Sequence, residues 1–315
     1  MMDISVYCHS DKEDWDEFVD RSKQGTFLFY RDFMDYHEHR FQDHSLLVRE
    51  NGRLVAMLPA NVDGDVLTSH AGLTYGGFVT DDQMKTSLML EVLDCVIDHL
   101  LKLGIHKLIY KAVPYIYHTL PADEDVYALF RFGARLYRRD MTTVAMPTNR
   151  LDFQARRMRG IKRAEKAKIT CRQFDDYGRF WEILKENLWT IHKLIPVHSL
   201  DEIRLLQSRF PRNIKLFGSF QDDEMVAGVV IFETHKVAHA QYTATSEKGR
   251  SCGALDLLFK VLLDKWYNGI TYFDFGVSTE DGGHYLNEGL TDFKEGFGGR
   301  AVVCDFYEIE LRGRD

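Results

Sequence analysis

Residues 88–105 read LMLEVLDCVIDHLLKLGI, and residues 254–270 read ALDLLFKVLLDKWYNGI. Both stretches carry apolar residues at helical spacing, and the two patterns align position by position. The aligned apolar residues are Val92, Leu93, Val96 and Ile97 in the first stretch, and Leu257, Leu258, Val261 and Leu262 in the second. Both stretches reach a glycine, Gly104 or Gly269, which predicts a left-handed helix stop. Each then enters a short apolar strand, over 106–112 and 271–276.

The elements upstream of these helices recur in the same order. Two apolar runs flank Asn51-Gly52, a strong β-hairpin signal, and their counterparts are the runs at 214–220 and 225–233. A helix predicted around Trp15 has a partner around Trp181. Chance explains one similar helix far more easily than an ordered set, so the sequence predicts a duplicated domain.

The boundary is predicted near residues 147–152, where Pro, Thr, Asn and Arg interrupt the apolar pattern. This gives an N-terminal domain over 1–148 and a C-terminal domain over 149–315. Strands that alternate with helices predict an α/β (α+β) fold. We expect each domain to be a mixed, mostly antiparallel sheet flanked by helices.

Composition narrows the class of protein. The net charge of −8 argues against a broad nucleic-acid-binding surface, and we interpret the basic stretch Arg156–Lys168 as a solvated helix face. No apolar run approaches the length of a membrane span, and the N-terminus lacks a signal-peptide pattern. The five scattered cysteines include no CxxC pair. We therefore expect a cytoplasmic protein with reduced thiols.

Two C-terminal motifs carry a family resemblance. Residues 272–276 read YFDFG, and residues 289–298 read GLTDFKEGFG. A strand ending in Asp-Phe-Gly, then Gly-Leu, then Phe-Lys-x-x-Phe-Gly resembles the FemAB-type family, whose members contain two GNAT-fold domains and transfer acyl or aminoacyl groups. The basic run Arg159–Lys166 is similar to that family's Arg/Lys-rich helix. The resemblance implies tandem GNAT-like domains, with the reaction site in the second domain or in the cleft between the two.

The resemblance also implies acyl-CoA as co-substrate, held by the second half. The candidate donor-binding residues are Tyr242, Lys248, Arg250 and Gly253. Glycines let backbone amides approach an anion at a helix start, although an ordinary basic loop is the alternative reading. Leu255 stands where CoA-binding loops carry a small residue. Aminoacyl-tRNA is the other possible donor, which the acidic charge and the lack of a long helical arm disfavour.

Lys294 is the first catalytic candidate, because the family's lysine in Phe-Lys-x-x-Phe-Gly lies in the active site. Its ammonium would stabilise negative charge in the transition state of acyl transfer. The alternative is an exposed lysine paired with Asp292 or Glu295. No GxSxG pattern indicates a serine nucleophile.

Asp274 and His239 are the other catalytic candidates. Asp274 would orient a substrate amine or accept its proton, or it would be a hydrogen-bonded structural carboxylate. His239 is a candidate general base, or a buried histidine whose ring nitrogens are hydrogen-bonded within the protein. Strand alternation predicts His239 and Gln241 on one face and Tyr242 on the other.

Polar and aromatic clusters in both halves are candidates for acceptor binding. Such side chains suit stacking and hydrogen bonding to a sugar-nucleotide or lipid-linked acceptor, which the resemblance places on the first domain and the interdomain cleft. The candidate acceptor-binding residues are His70, Tyr75, Tyr117, His118, His192, His198 and Asn287. No metal is expected, because the spacing of His37-Glu-His39 matches no ligand pattern.

Two functions follow from these features. The first is an N-acyltransferase that modifies an amine of a cell-surface polysaccharide or cell-wall precursor. The second is a non-catalytic ligand-binding module on a degenerate GNAT fold, which the imperfect CoA loop motivates. The sequence leaves the acyl group, the acceptor and the oligomeric state open.

Overall fold

The computed structural model describes residues 1–312, apart from the side chains of residues 191 and 192. The chain divides into two compact units. Unit 1 holds Met1–Asp140 together with the stretch from Val303, and unit 2 holds Met141–Val302. The division predicted at 148/149 assigned the whole C-terminal stretch to the second domain, whereas the structure returns its last strand to unit 1. None of the helices in the described residues is long and apolar enough to cross a bilayer.

Unit 1 contains short strands and one long helix. Its strands are β1 (Met2–Val6), β2 (Leu46–Glu50), β3 (Arg53–Leu58), β4 (Asn61–Asp63), β5 (Val66–Thr68), β6 (Val79–Thr80) and β7 (Lys107–Lys111), and β8 (Arg135–Ala145) begins there. Its helices are α1 (Lys12–Arg21), α2 (Arg31–Met34), α3 (Thr86–Lys102) and α4 (Glu124–Arg131).

Unit 2 contains longer strands. Its helices are α5 (Ala155–Lys166), α6 (Tyr177–His192), α7 (Leu200–Arg209), α8 (Glu247–Cys252), α9 (Ala254–Val261) and α10 (Glu288–Glu295). Its strands are β9 (Thr170–Phe174), β10 (Ile214–Gln221), β11 (Glu224–Glu233), β12 (Val237–Thr245), β13 (Tyr272–Val277), β14 (Thr279–Glu280) and β15 (Tyr285–Leu286), and β16 (Arg300–Glu310) begins there.

Unit 1 is built around α3, whose apolar stripe enters the core formed with β2, β3 and β7. Strands β1, β2, β3 and β6 form one sheet. Residues 306–310 of β16 pair with β7, which lies parallel to β5. The predicted hairpin is confirmed: Asn51 and Gly52 have φ of 51° and 82°, as a type I′ turn requires. Gly104 also has the predicted left-handed φ, 76°.

Unit 2 is a mostly antiparallel sheet with helices on both faces. Its strand order runs β8, β13, β12, β11, β10, β9, and β12–β13 is a parallel pair. Helix α9 packs on one face, where Leu258 and Phe259 meet Ile231 and Ala240. Helix α6 packs on β11 and β12 through the other face, where Trp181 lies edge-on to Tyr242. The predicted mixed α/β fold is confirmed.

Two local predictions were wrong. Gly269 is not among the left-handed residues, because α9 continues as a π-helical turn over Leu262–Trp266 and ends before it. The alternation expected along β12 is also broken. Val230 opposes Tyr242 while Ile231 opposes Ala240, so Gln241 occupies a β-bulge. The bulge places His239 and Tyr242 on the same face of the sheet.

Candidate functional site

The candidate site lies where β12 and β13 part. The two strands pair in parallel from Val237 opposite Tyr272 to His239 opposite Asp274, and no later pair joins them within the described residues. Gly276 follows with a φ of +80°, at an irregularity in the pairing of β13 with β8. Polar backbone groups at such a divergence are open to a ligand in extended conformation.

His239 and Asp274 form a hydrogen-bonded dyad at the last paired position. The Nδ1 atom of His239 lies 2.9 Å from the Oδ2 atom of Asp274. A carboxylate accepts at this distance, so the imidazole carries its proton on Nδ1 when neutral. The unprotonated Nε2 is then available, and the His239 side chain keeps 13% exposure. This arrangement is that of a general base held by a carboxylate.

Asp274 is a buried, fully engaged carboxylate. Its Oδ1 atom accepts from the backbone N–H of Gly276 at 2.8 Å and from the hydroxyl of Thr142. Burial alone would raise the pKa of Asp274, but His239 and these donors outweigh it and lower the pKa to about 2. A carboxylate with so low a pKa does not take a proton from a substrate amine. The contacts of Asp274 are those of a hydrogen-bonded structural carboxylate, and a part for Asp274 in the reaction stays a prediction.

Lys294 is buried rather than exposed. It lies on α10 with 7% exposure, and its Nζ atom donates to the carbonyls of Gly276 and Val277, both at 2.7 Å. Burial lowers the pKa of Lys294 to about 8, although the charge of Asp274 acts in the opposite direction. The alternative, an exposed lysine paired with Asp292 or Glu295, is wrong, because Lys294 is buried and its Nζ atom donates to backbone carbonyls.

The Lys294 ammonium is fixed on the backbone of β13, within range of the charge of Asp274. An ammonium has three protons, and the two carbonyls of β13 take two of them. The third proton is the one that could reach a reacting oxygen. A fixed donor in a site shielded from water stabilises developing negative charge more strongly than a solvated one.

The predicted anion-binding loop is a short helix. The Gly249 amide donates to the Ser246 side chain at 3.1 Å, and the Gly253 amide donates to the Gly249 carbonyl at 3.0 Å. Both amides are therefore engaged inside the chain, against the expectation that they approach an anion. Lys248 forms an exposed ion pair with Glu224.

Close packing explains the glycine at position 253. A Cβ on Gly253 would lie 2.4 Å from the Gly160 carbonyl oxygen of α5. The glycine also adopts φ +80° between α8 and α9. Arg250 is solvent-exposed on α8. The glycine at 253 thus serves helix packing, and donor contacts by Lys248 and Arg250 stay a prediction.

Tyr242 and His198 form a second polar contact on the face of β12 that carries His239. The His198 Nδ1 atom lies 2.5 Å from the Tyr242 hydroxyl oxygen. Burial raises the pKa of Tyr242 to about 12, so the phenol stays protonated at neutral pH. This contact brings together one predicted donor-binding residue and one predicted acceptor-binding residue.

The remaining acceptor candidates are distributed elsewhere. The Tyr75 ring lies 4.4 Å from the Tyr117 ring, tilted by 44°, and the Tyr75 hydroxyl donates to Thr26 at 3.0 Å. The His118 ring lies 2.9 Å from the Val113 carbonyl. The four candidates of unit 1, all buried, are His70, Tyr75, Tyr117 and His118.

Internal partners thus account for the Tyr75 hydroxyl and the His118 ring, against the expectation that these residues line an open cleft. The buried Nδ1 atom of His70 has no hydrogen-bond partner among the described residues. Asn287 caps α10, accepting from the Leu290 amide at 3.0 Å. The His192 side chain lies outside the described residues. Acceptor binding by any of these residues stays a prediction.

Thr142 is the member of the candidate site that the sequence did not indicate. It lies on β8, 132 residues before Asp274, and reaches the carboxylate only because β8 pairs with β13. A threonine in a strand is an ordinary β-forming residue, so no local signal distinguishes it.

Residues 152–295 match the family model of the acetyltransferase (GNAT) domain. Comparison with curated proteins gives no match. The matched segment lies inside unit 2 and contains His239, Asp274 and Lys294.

Solved structures resemble the whole chain. The crystal structure of FemX aligns over 98% of this chain and 97% of its own, with a TM-score of 0.67 at 12% identity. L-PGS from Bacillus licheniformis aligns over 96% and 93%, with a TM-score of 0.62 at 14% identity. A tandem GNAT protein from the clavulanic acid biosynthesis pathway aligns over both full chains, with a TM-score of 0.53 at 13% identity. At these identities the likeness shows the fold, and it confirms the predicted tandem arrangement.

Proposed function

We propose that this chain, whose residues 152–295 match the GNAT acetyltransferase domain model, catalyses N-acyl transfer at the site in unit 2. The observation that carries the proposal is the His239–Asp274 dyad at the parting of β12 and β13, next to the buried Lys294. The proposed acceptor is an amine of a cell-surface polysaccharide or cell-wall precursor. We place the reaction in the cytoplasm, where nucleotide-linked precursors are made.

The proposed chemistry needs a neutral amine and a polarised carbonyl. The neutral amine forms a bond to the donor's carbonyl carbon, and its nitrogen gives a proton to His239 Nε2 as that bond forms. The carbon–sulfur bond of a thioester, or the carbon–oxygen bond of an aminoacyl ester, breaks. The same proton passes to the departing thiolate or alkoxide. Lys294 stabilises the negative charge that develops on the carbonyl oxygen.

The donor is proposed to be acyl-CoA or an aminoacyl ester carried by tRNA. The open edge of β12 beyond His239 suits an extended, amide-bearing arm such as that of CoA. The amides of Gly249 and Gly253 do not suit its pyrophosphate, because both are already hydrogen-bonded. The fit to CoA is therefore good beside the reacting carbonyl and poor at the phosphates.

The test measures binding and turnover separately. Wild-type protein is mixed with acetyl-CoA and a panel of amino-sugar nucleotides, and both the melting temperature and free thiol release are recorded. The proposal predicts stabilisation and amine-dependent thiol release. It also predicts that His239→Ala loses about 10²- to 10⁴-fold in rate, as expected for removing a general base.

His235→Ala is the matched control, because His235 is exposed on the turn before β12. Its rate should equal that of the wild type. Stabilisation by acetyl-CoA with no thiol release from any acceptor would instead favour a non-catalytic ligand-binding module. No response to CoA esters, with transfer from aminoacyl-tRNA, would identify the ester as the donor.

A further inference from the structure

A cavity in unit 2 lies apart from the reaction site, where α9 ends. Its volume is about 340 Å³, and it is lined by residues of β9, β10 and β11 and by residues 266–270, which lead into β13. Phe217 of this lining packs in the core on the α9 face of the sheet. Tyr242, and with it His239, lies on the face that α6 covers. The cavity and the proposed reaction site are therefore on opposite faces of the sheet.

Aromatic rings form the apolar part of the lining. The Trp266 ring lies 4.7 Å from the Phe217 ring, tilted by 42°, and Tyr267 lies edge-on to Phe217 at 5.8 Å. Phe217 and Tyr267 are buried, whereas Trp266 is half-buried. The Trp266 N–H donates to no other residue in the part of the chain that the structure describes. Trp266 thus offers a ligand both an aromatic surface and a hydrogen-bond donor.

The π-helical turn at the end of α9 sets the position of Trp266. That turn spans Leu262–Trp266, so its last residue is the one that lines the cavity. A π turn contains one residue more than an α turn, and each residue rotates the chain by about 100°. Turns of this kind are rare and occur frequently at functional sites. The irregularity in the helix therefore coincides with the accessible aromatic ring.

The polar part of the lining is electrically balanced. The Nζ atom of Lys215 lies 2.7 Å from the Oε2 atom of Glu233, and both residues line the cavity. Gln173 and Asn268 are exposed, and their side-chain amides bond to no other described residue. Glu233 would repel a phosphate, and Lys215 would repel an ammonium. The lining therefore suits a neutral molecule that has many hydrogen-bonding groups.

A sugar ring meets both requirements. The C–H groups of a pyranose form an apolar face that packs on an aromatic ring, and its hydroxyls both donate and accept hydrogen bonds. The volume lies near the lower end of small-molecule sites, which suits a short saccharide. We propose that this cavity binds a neutral saccharide, with Trp266 packed on a pyranose ring and with Gln173 and Asn268 bonded to its hydroxyls. The site goes beyond the proposed reaction, since His239 lies on the other face of the sheet.

The test titrates the whole chain with chitotriose and with maltotriose, two neutral sugars. Nitrogen-15 labelling of the four tryptophans gives one indole N–H signal for each, and the signal missing from Trp266→Ala identifies Trp266. At about 20 mM sugar, a site with a dissociation constant of about 1 mM is about 95% occupied. We expect at least one of the sugars to move the Trp266 signal saturably and to leave the Trp189 signal in place.

Calorimetry of the variants measures what each side chain contributes. Trp266→Ala should weaken binding about 10-fold or more, as truncation of an aromatic anchor does. The double variant Gln173→Ala and Asn268→Ala changes only exposed side chains, so it should keep the fold and weaken binding about 3-fold or more. Trp189→Ala is the matched control, because Trp189 is exposed on α6, and its affinity should equal that of the wild type.

Three results would overturn the inference. The first is a Trp266 signal that neither sugar moves saturably. The second is wild-type affinity in the double variant. The third is a Trp266 signal that moves with inorganic phosphate or tetramethylammonium but with neither sugar. None of these readouts uses turnover, so failure here is distinct from failure of the proposed reaction.

Discussion

Replacing Asp274 by Asn tests the dyad without removing a side chain. The Asp274 Oδ1 atom accepts from Thr142 and from the Gly276 amide, and Oδ2 accepts from His239. In Asp274→Asn the amide oxygen keeps the first two bonds, and the amide nitrogen then faces His239 Nδ1. Two donors cannot share that contact, so the imidazole must move its proton to Nε2. The variant should therefore lose its base while keeping the shape of the site.

The magnitudes follow from the geometry and from the pKa of Asp274. Loss of a general base predicts a fall in turnover of about 10²- to 10⁴-fold. The lowering of the Asp274 pKa from 3.8 to about 2 corresponds to about 2 to 3 kcal/mol of folding free energy. The folded-state pKa is depressed, so this contribution is present above pH 4. It is lost as pH falls towards 2.

The assay combines nitrogen-15 NMR of histidine-labelled protein with equilibrium unfolding. The wild type should show an unprotonated Nε2 at His239, and Asp274→Asn should show an unprotonated Nδ1. Thr142→Val is the control, since it removes the hydroxyl donor but keeps the bond between His239 and Asp274. An unchanged tautomer in Asp274→Asn, together with turnover near that of the wild type, would refute the reasoning.

Lys294→Met should remove the free-energy cost of burying a charged ammonium, which depends on pH. The pKa of Lys294 is about 8 in the folded protein and 10.5 in the unfolded chain, so deprotonation favours the folded state. The free energy of unfolding of the wild type should therefore rise by about 2 kcal/mol between pH 7.5 and 9.5. Urea unfolding of the variant over the same pH range should not show this rise. Gly253→Ala should lower the free energy of unfolding in urea by about 1 to 3 kcal/mol, because residue 253 has φ +80° and the new Cβ would clash with the Gly160 carbonyl. Gly269 has open space around it, so Gly269→Ala should change this free energy by less than about 0.5 kcal/mol. Equal losses in the two glycine variants would contradict the packing explanation.

Local signals predicted the elements of the fold well. The Asn51-Gly52 hairpin follows from two residues that adopt positive φ, and α3 follows from its apolar periodicity and from Gly104. These signals depend on neighbours in the chain. The turn and the helix can therefore be predicted from the local sequence, without knowing which distant residues pack against them.

Long-range pairing escaped prediction. The bulge at Gln241 reverses the face that alternation assigns to Tyr242, and it depends on how β12 meets β11. The return of β16 to β7 moves the C-terminal strand into unit 1. Neither feature has a signature in the residues on either side of it.

The site was only partly predictable for the same reason. Motifs identified Lys294 and Asp274, but their burial and partners depend on carbonyls and strands distant in sequence. The polar and aromatic clusters of unit 1 suggested a ligand cleft. Tyr75 and His118 instead find internal partners, which composition cannot distinguish from ligand contacts.

Chemical rescue tests the central claim most directly. His239 keeps a small opening to solvent, so His239→Gly should leave room for imidazole beside Asp274. The account predicts that this variant scarcely transfers acyl groups to the amine in buffer alone, and that added imidazole restores N-acylated product in proportion to its concentration. Product formation at the wild-type rate without imidazole would show that the imidazole ring takes no part in the reaction.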